Sequence, residues 1–140
     1  MFWRIIIKSI KNEKGQAVVE FAIVLPILIL IIGGMIDFSW IYSNQNIIDN
    51  CAREGARYAI VHATDTNVTT EITNYTKSIA PTSLADSLNV QVEFSNTYSH
   101  RAGNVKITVS SDVNVLTPIA GVFTDGQKLN LSSSCTMKVE

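Results

Sequence analysis

Gly15-Gln16-Ala17-Val18-Val19-Glu20-Phe21-Ala22-Ile23-Val24-Leu25-Pro26 opens a run that stays apolar to Ile36. Between Ala17 and Ile36 it holds one charged side chain, Glu20, together with Pro26, Gly33 and Gly34. A helix rises about 1.5 Å per residue, so roughly 20 residues cover the ~30 Å of a bilayer's hydrocarbon. The run therefore predicts a membrane-spanning helix over about 17–36. Glu20 is its exception. A carboxylate in hydrocarbon costs roughly 2.5–3.5 kcal/mol even on lenient insertion scales. Its position predicts a partner, although a glutamate about one turn from the membrane edge also reaches the interface at little cost.

Upstream, Arg4, Lys8, Lys11 and Lys14 are opposed only by Glu13. This charge bias keeps the N-terminus in the cytoplasm and sends the rest outside. Residues 1–15 form a basic leader that also carries Phe2, Trp3, Ile5, Ile6, Ile7 and Ile10. An amphipathic helix on the inner membrane surface and an unstructured tail both fit that composition. Ordinary secretory cleavage is disfavoured. The run exceeds a usual signal core, and Ile32, Phe38 and Trp40 stand where small side chains are wanted. Asp37 closes the run and reads as a residue at the outer headgroups.

Downstream, the helix is expected to continue to about Val61. Ile41, Ile48, Cys51, Ala52, Gly55, Ala56, Ala59 and Ile60 recur at spacings of three and four, one face of a helix. The small residues on that stripe let a sheet approach closely. Arg53, Glu54 and Arg57 face elsewhere, as a solvated surface or a partner contact, with Asp49 placed to pair with Arg53. After a turn at 63–70, residues 70–79 predict a short amphipathic helix with Ile72, Tyr75 and Ile79 on one side, stopped by Pro81.

Three alternating patterns follow. Leu88, Val90, Val92 and Phe94 form the first. Val105, Ile107 and Val109, extending toward Val113 and Val115, form the second. Leu129, Leu131, Ser133, Cys135, Met137 and Val139 share one parity in the third. Period-two alternation marks a sheet with one buried face. Residues 96–103 read as a hairpin loop, and 116–127, with Pro118, Gly121 and Gly126, as a longer connection. A sheet this thin needs a cover, and the stripe on the long helix supplies it. The fold class expected is α+β: a long N-terminal helix packed under a small antiparallel sheet of three or four strands. The chain divides into a leader (1–15), the long helix (16–62) and an α+β unit (63–140) outside the cytoplasm.

The remaining chemistry is sparse. Cys51 and Cys135 are the only cysteines. One lies on the helix stripe and the other on the buried parity of the last strand, in a compartment that permits oxidation. A disulfide across about 84 residues is expected, worth a few kcal/mol. Two buried free thiols are the alternative. His62 and His100, without carboxylates at ligand spacing, make a weak metal case and read as surface side chains. No phosphate loop and no catalytic constellation stands out, so neither an enzyme nor a cofactor is expected. A formal net charge of −1 gives no reason to expect a nucleic-acid partner. The triplets at Asn67, Asn74 and Asn130 match the glycosylation acceptor, a pattern short enough to arise by chance.

The segment from Gly15 to Pro26 closely resembles the start of TadE-like proteins, pilin-like minor subunits of the tight-adherence (Flp, type IVc) pilus machinery. Ala52-Arg53-Glu54-Gly55-Ala56-Arg57-Tyr58-Ala59 is similar to that family's second signature. The resemblance implies a pilin-like fold and a structural role in pilus assembly and surface adhesion. It implies cleavage after Gly15 by a prepilin peptidase in the inner membrane. Gln16 then becomes the new N-terminus and Glu20 the fifth residue of the mature chain. In pilin-like assemblies this carboxylate neutralises a neighbouring subunit's terminal amine, which makes Glu20 a register pin beside Phe21 and Pro26. The implied partners are the peptidase, other pilin or pseudopilin subunits, the inner-membrane platform and membrane lipid. A single-pass anchored binding or sensor domain is the competing reading. Processing separates the two, because a sensor keeps its first fifteen residues.

Overall fold

The computed structural model of the chain describes residues 13–63, 67–95, 103–117 and 128–139. The leader reading before residue 13, His100, most of the hairpin loop and the connection at 118–127 lie outside the described residues.

One helix, α1 (Glu13–Val61), runs through 49 residues without a break, Pro26 included. Two short helices follow, α2 (Val68–Ser78) and α3 (Thr82–Ala85). Then come β1 (Asn89–Phe94), β2 (Gly103–Asn114) and β3 (Lys128–Val139). The strands form one antiparallel sheet of three, in the order β1-β2-β3. The expected α+β architecture is the one observed: a long helix packed against a small antiparallel sheet.

Strand parity explains the sheet. Val105, Ile107, Val109 and Val113 of β2 point into the core, whereas Lys106 and Asp112 are exposed. In register with them, Ile107 faces Cys135 and Val109 faces Ser133 on β3, while Val92 of β1 faces Ile107 on the other side. One inward position of β2 is polar. Ser111 is buried, and its hydroxyl meets the Ser87 hydroxyl at 2.8 Å, which relieves the cost of removing it from water. Gly103 opens β2 with φ 129°, a conformation that glycine adopts without a side-chain clash. There Ser95 and Asn104 close the hairpin base, Ser95 N donating to Asn104 O at 2.9 Å.

The core lies between the sheet and the distal half of α1. Ile48, Ala52, Ala56 and Ala59 are fully buried there. Small side chains set how near the helix can come, and Gly55 marks a point of close approach. A Cβ at Gly55 would sit 2.6 Å from Thr76 Oγ1 and 3.5 Å from Ile107 Cγ2. The position therefore joins α1 to α2 and to the middle strand at once. On α2, Val68, Ile72 and Thr76 are the buried residues, and Ile79 is exposed rather than inward. Thr76 tolerates full burial because its hydroxyl donates back to the Ile72 carbonyl at 2.7 Å.

The expected bridge between Cys51 and Cys135 is absent, and both are free thiols. The two belong to the same apolar core from neighbouring elements. Facing one core is a weaker condition than disulfide geometry, which fixes Cα separation and Cβ direction closely. Packing of the alanine stripe against β2 closes the core without a crosslink.

Candidate functional site

Two stretches of α1 carry the sequence-derived candidates, and the fold treats them differently. Gly15, Gln16, Glu20, Phe21 and Pro26 lie on the proximal half, where residues 15–32 are all exposed. Phe21 is 63% exposed. Within the described chain this half packs against no other element, and it is long and apolar enough to cross a membrane. Glu20 accepts one hydrogen bond, from the Gln16 side-chain amide at 3.1 Å. That contact spans four residues, one helical turn, so both groups occupy one face. A neutral amide is the carboxylate's neighbour here, and no cation stands near it among the described residues.

Cys51 to Tyr58 lie on the distal half, where each turn alternates between core and solvent. Cys51, Gly55 and Ala56 are buried, while Arg53, Glu54 and Arg57 are exposed. The expected pairing of Asp49 with Arg53 is replaced by a different contact. Asp49 accepts from Gln45 Nε2 at 3.1 Å, and Gln45 also donates to the Ser132 carbonyl of β3 at 3.2 Å. Helix and sheet are thus tied by a backbone contact. Burial pushes the Cys51 thiol above its ordinary pKa, which disfavours the nucleophilic thiolate.

Tyr58 does more than complete a motif. Its ring stacks on Tyr75 of α2 at 4.2 Å and on His62 at 3.9 Å, with interplanar angles of 14° and 18°. His62, expected at the surface, is instead half-buried beside this stack, with Nδ1 at 3.1 Å from the Tyr58 carbonyl. Stacked rings add to area burial, so the second motif both shapes the core (Gly55, Ala56) and clamps α2 onto α1 (Tyr58).

A third feature escaped the sequence reading. Asp37, expected at the headgroup surface, is only 3% exposed. Its Oδ1 accepts from Leu116 N at 3.1 Å and Thr117 N at 2.9 Å, and the Thr117 hydroxyl donates to Oδ2. One turn on, Trp40 Nε1 donates to the Asn114 carbonyl at 3.2 Å. The end of β2 is therefore latched to α1 at the boundary between its two halves. The available signal was negative: no residue three or four positions from Asp37 offers a donor side chain except Trp40. A carboxylate that is to be buried without local donors must find them far along the chain.

Among the described residues no group of histidine, cysteine and carboxylate side chains is arranged to hold a metal. No curated protein and no solved structure matches the chain. Residues 15–57 match the TadE-like protein family. That segment begins at the glycine before the apolar run and ends inside the second motif, so it takes in the lone carboxylate, the latch residue and the packing glycine. Over this segment, and not beyond it, the chain is similar to TadE-like proteins.

Proposed function

We propose that this chain is a minor pilin or pseudopilin of the tight-adherence pilus, matured by a prepilin peptidase that cuts after Gly15. In this reading residues 17–36 span the bacterial cytoplasmic membrane, with the basic leader inside and the α+β unit outside. The observation that carries it is Glu20: a carboxylate on the bare apolar half of α1 whose neighbour is the amide of Gln16. An unpaired carboxylate in lipid is costly, and an opposite charge relieves much of that cost. Cleavage after Gly15 turns Gln16 into the bearer of a cationic amine. A neighbouring subunit's amine then meets Glu20 at one axial offset, which makes the carboxylate a register pin for assembly.

Other features support the reading. Glycine weakens a helix locally by about 1 kcal/mol relative to alanine, so Gly15, in the first turn of α1, lowers the cost of opening the backbone to a protease there. Phe21 and the apolar side chains around it are exposed, leaving a surface that lipid covers before assembly and neighbouring helices cover after it. Pro26 leaves one carbonyl without its usual helical donor, a group that packed neighbours can satisfy. The partners are the peptidase, other subunits and the inner-membrane platform, and the cellular role is pilus assembly and adhesion.

Intact-mass measurement of chains from the native host tests the processing step. The expected mature chain begins at Gln16, and Gly15→Leu retains the leader. Glu20→Ala is expected to insert normally, to be processed, and to abolish pilus-dependent adhesion. Wild-type chains that keep all fifteen leader residues would overturn the reading, as would unchanged filament formation by the Glu20 variant.

A further inference from the structure

The latch at Asp37 sets one side chain of the β unit beside the end of the apolar half of α1. Leu116 is bonded to Asp37 through its backbone N–H. Its side chain nevertheless shares a groove of about 440 Å³ with Ile32, Met35, Ile36, Ser39 and Trp40. Ile32 lies five residues before Asp37, roughly 7 Å further toward the N-terminal end of the helix. The groove extends to both sides of the latch, from Ile32 to Ser43, and Leu116 walls it where α1 passes from its proposed membrane-spanning part to its packed part. Leu116 is 57% exposed, and Met35 and Ile36 are 64% and 50% exposed. The groove carries no charged side chain, and it runs without interruption into the bare apolar surface of the helix. The sequence after Thr117, Pro-Ile-Ala-Gly-Val-Phe at 118–123, also contains no charge.

We infer that this groove takes an acyl chain of an outer-leaflet phospholipid, so that Leu116 is a second membrane contact and the β unit rests directly on the bilayer. The inference depends on the membrane-spanning reading of α1. Its physical basis is continuity. A groove open to the same surface as a lipid-covered helix, walled mainly by Ile32, Met35, Ile36 and Leu116 with only Ser39 and Ser43 as small polar groups, is filled most favourably by hydrocarbon. Trp40 stands in its outer part, between Ser39 and Ser43, where an amphipathic ring suits the headgroup level. Asp37 holds the wall in place without exposing charge to lipid, because its oxygens are occupied by Leu116 and Thr117. Two contacts, helix and Leu116, fix the tilt of the β unit relative to the membrane, whereas the helix alone would leave it free to rotate.

Photo-crosslinking of the full chain in phosphatidylethanolamine/phosphatidylglycerol vesicles tests this. Benzoylphenylalanine replaces Leu116, or Leu28 within the apolar run, or the exposed Asp112 two turns of pleat up β2. Intact mass reads the adduct. Position 116 is expected to capture lipid nearly as well as position 28 and several-fold more than position 112. Lipid capture at 28 with none above the level of 112 at 116 would overturn the inference while sparing the membrane reading. Capture at 116 of the chain itself, or of a second copy, would also overturn it, since protein would then fill the groove. No lipid at 28 would defeat the membrane reading, and this inference with it. A second measurement leaves position 116 untouched. In a Trp3→Phe chain, Trp40 fluorescence is expected to be quenched by lipids brominated high on the acyl chain and protected from aqueous acrylamide. The opposite pattern would overturn the inference even if the 116 variant failed to fold.

Discussion

The two halves of α1 are one continuous helix with opposite surroundings. From Val18 to Ile36 the large apolar side chains stand exposed. In the distal half Ile48, Cys51, Ala52, Ala56 and Ala59 are buried against α2 and the sheet, and Val61 at the helix end is left exposed. Residue size follows the neighbour. The bare half is built from valine, isoleucine, leucine and phenylalanine, which present the most apolar area to a fluid that conforms to any shape. The packed half is built from Cys51, Ala52, Gly55, Ala56 and Ala59, because a sheet is rigid and the distance to it is set by the side chains between. Hydropathy marks where the bare half ends, but not what the other half packs against. The spacing of small residues marks that, and the two halves should respond oppositely to the same substitution.

Ala56→Leu and Ala22→Leu make that contrast directly. Ala56 is fully buried, and three added carbons have no space in a close-packed interior. Overpacking costs about 3 kcal/mol, a large share of the stability of a small domain. Urea unfolding of the detergent-solubilised chain in a Trp3→Phe background, followed by Trp40 fluorescence, is expected to shift strongly for Ala56→Leu and not at all for Ala22→Leu. Equal responses would mean that the bare half is also packed, and the comparison would fail.

Asp37 sits where the halves meet, and removing its carboxylate sharpens the boundary. Asp37→Ala strands the N–H groups of Leu116 and Thr117, which the carboxylate now accepts. These donors are only part-buried, so leaving them without the carboxylate costs the lower end of the penalty for an unsatisfied donor, about 1–2 kcal/mol. The expected signature is local: faster hydrogen exchange at Leu116 and Thr117, with the amides of β1 unchanged. Uniform loss of protection across the sheet would show that the latch supports the whole core rather than its edge.

Gly55→Ala should do less, because two effects oppose. Alanine favours a helix by about 1 kcal/mol, while its Cβ meets Thr76 Oγ1 at 2.6 Å. That hydroxyl is held by its bond to the Ile72 carbonyl, so it yields only by breaking it. A net loss of about 1 kcal/mol is expected from an overpacked contact. Adding Thr76→Ala should recover most of it, and a double-mutant cycle reads the coupling. Additive effects would place the strain elsewhere.

These contrasts also show what the sequence made legible. The small-residue stripe at 51–59 and the parity of three strands are local periodicities, and the fold reproduces both. The Gly15 and Glu20 pattern is local as well, and lies within the segment that matches the family. What was missed is long-range. Asp37 finds its donors 79 and 80 residues away, and no spacing rule connects them. The Tyr58 stack joins α1 to α2 across a turn, so His62 read as a surface residue when its ring had a partner. The one-turn helix α3 after Pro81 is too short to leave a period. The cysteines were misread for a related reason: parity reports which face a residue shares, not the distance or direction to a partner on another element.

The free thiols give the smallest effect and the finest test of how the packed half is closed. If apolar packing suffices, Cys135→Ala should cost about 1 kcal/mol or less, equally with and without reductant; loss of a native disulfide costs roughly 2–5 kcal/mol. Alkylation adds a kinetic reading. Cys51 is buried, Cys135 is half-buried, and burial raises the Cys51 thiol above its ordinary value of 9.0. Below pH 9.0 both the folded and the unfolded Cys51 are protonated, so its burial is favourable there. That contribution fades as pH rises past the unfolded value, because the unfolded chain then ionises first. At neutral pH, iodoacetamide should therefore modify Cys135 before Cys51 without any reductant, and the difference should vanish in urea. If neither residue reacts until reductant is added, a crosslink closes the interface. The sheet would then be tethered as well as packed, and the small-residue stripe would no longer be a sufficient account of why this half of the helix holds it.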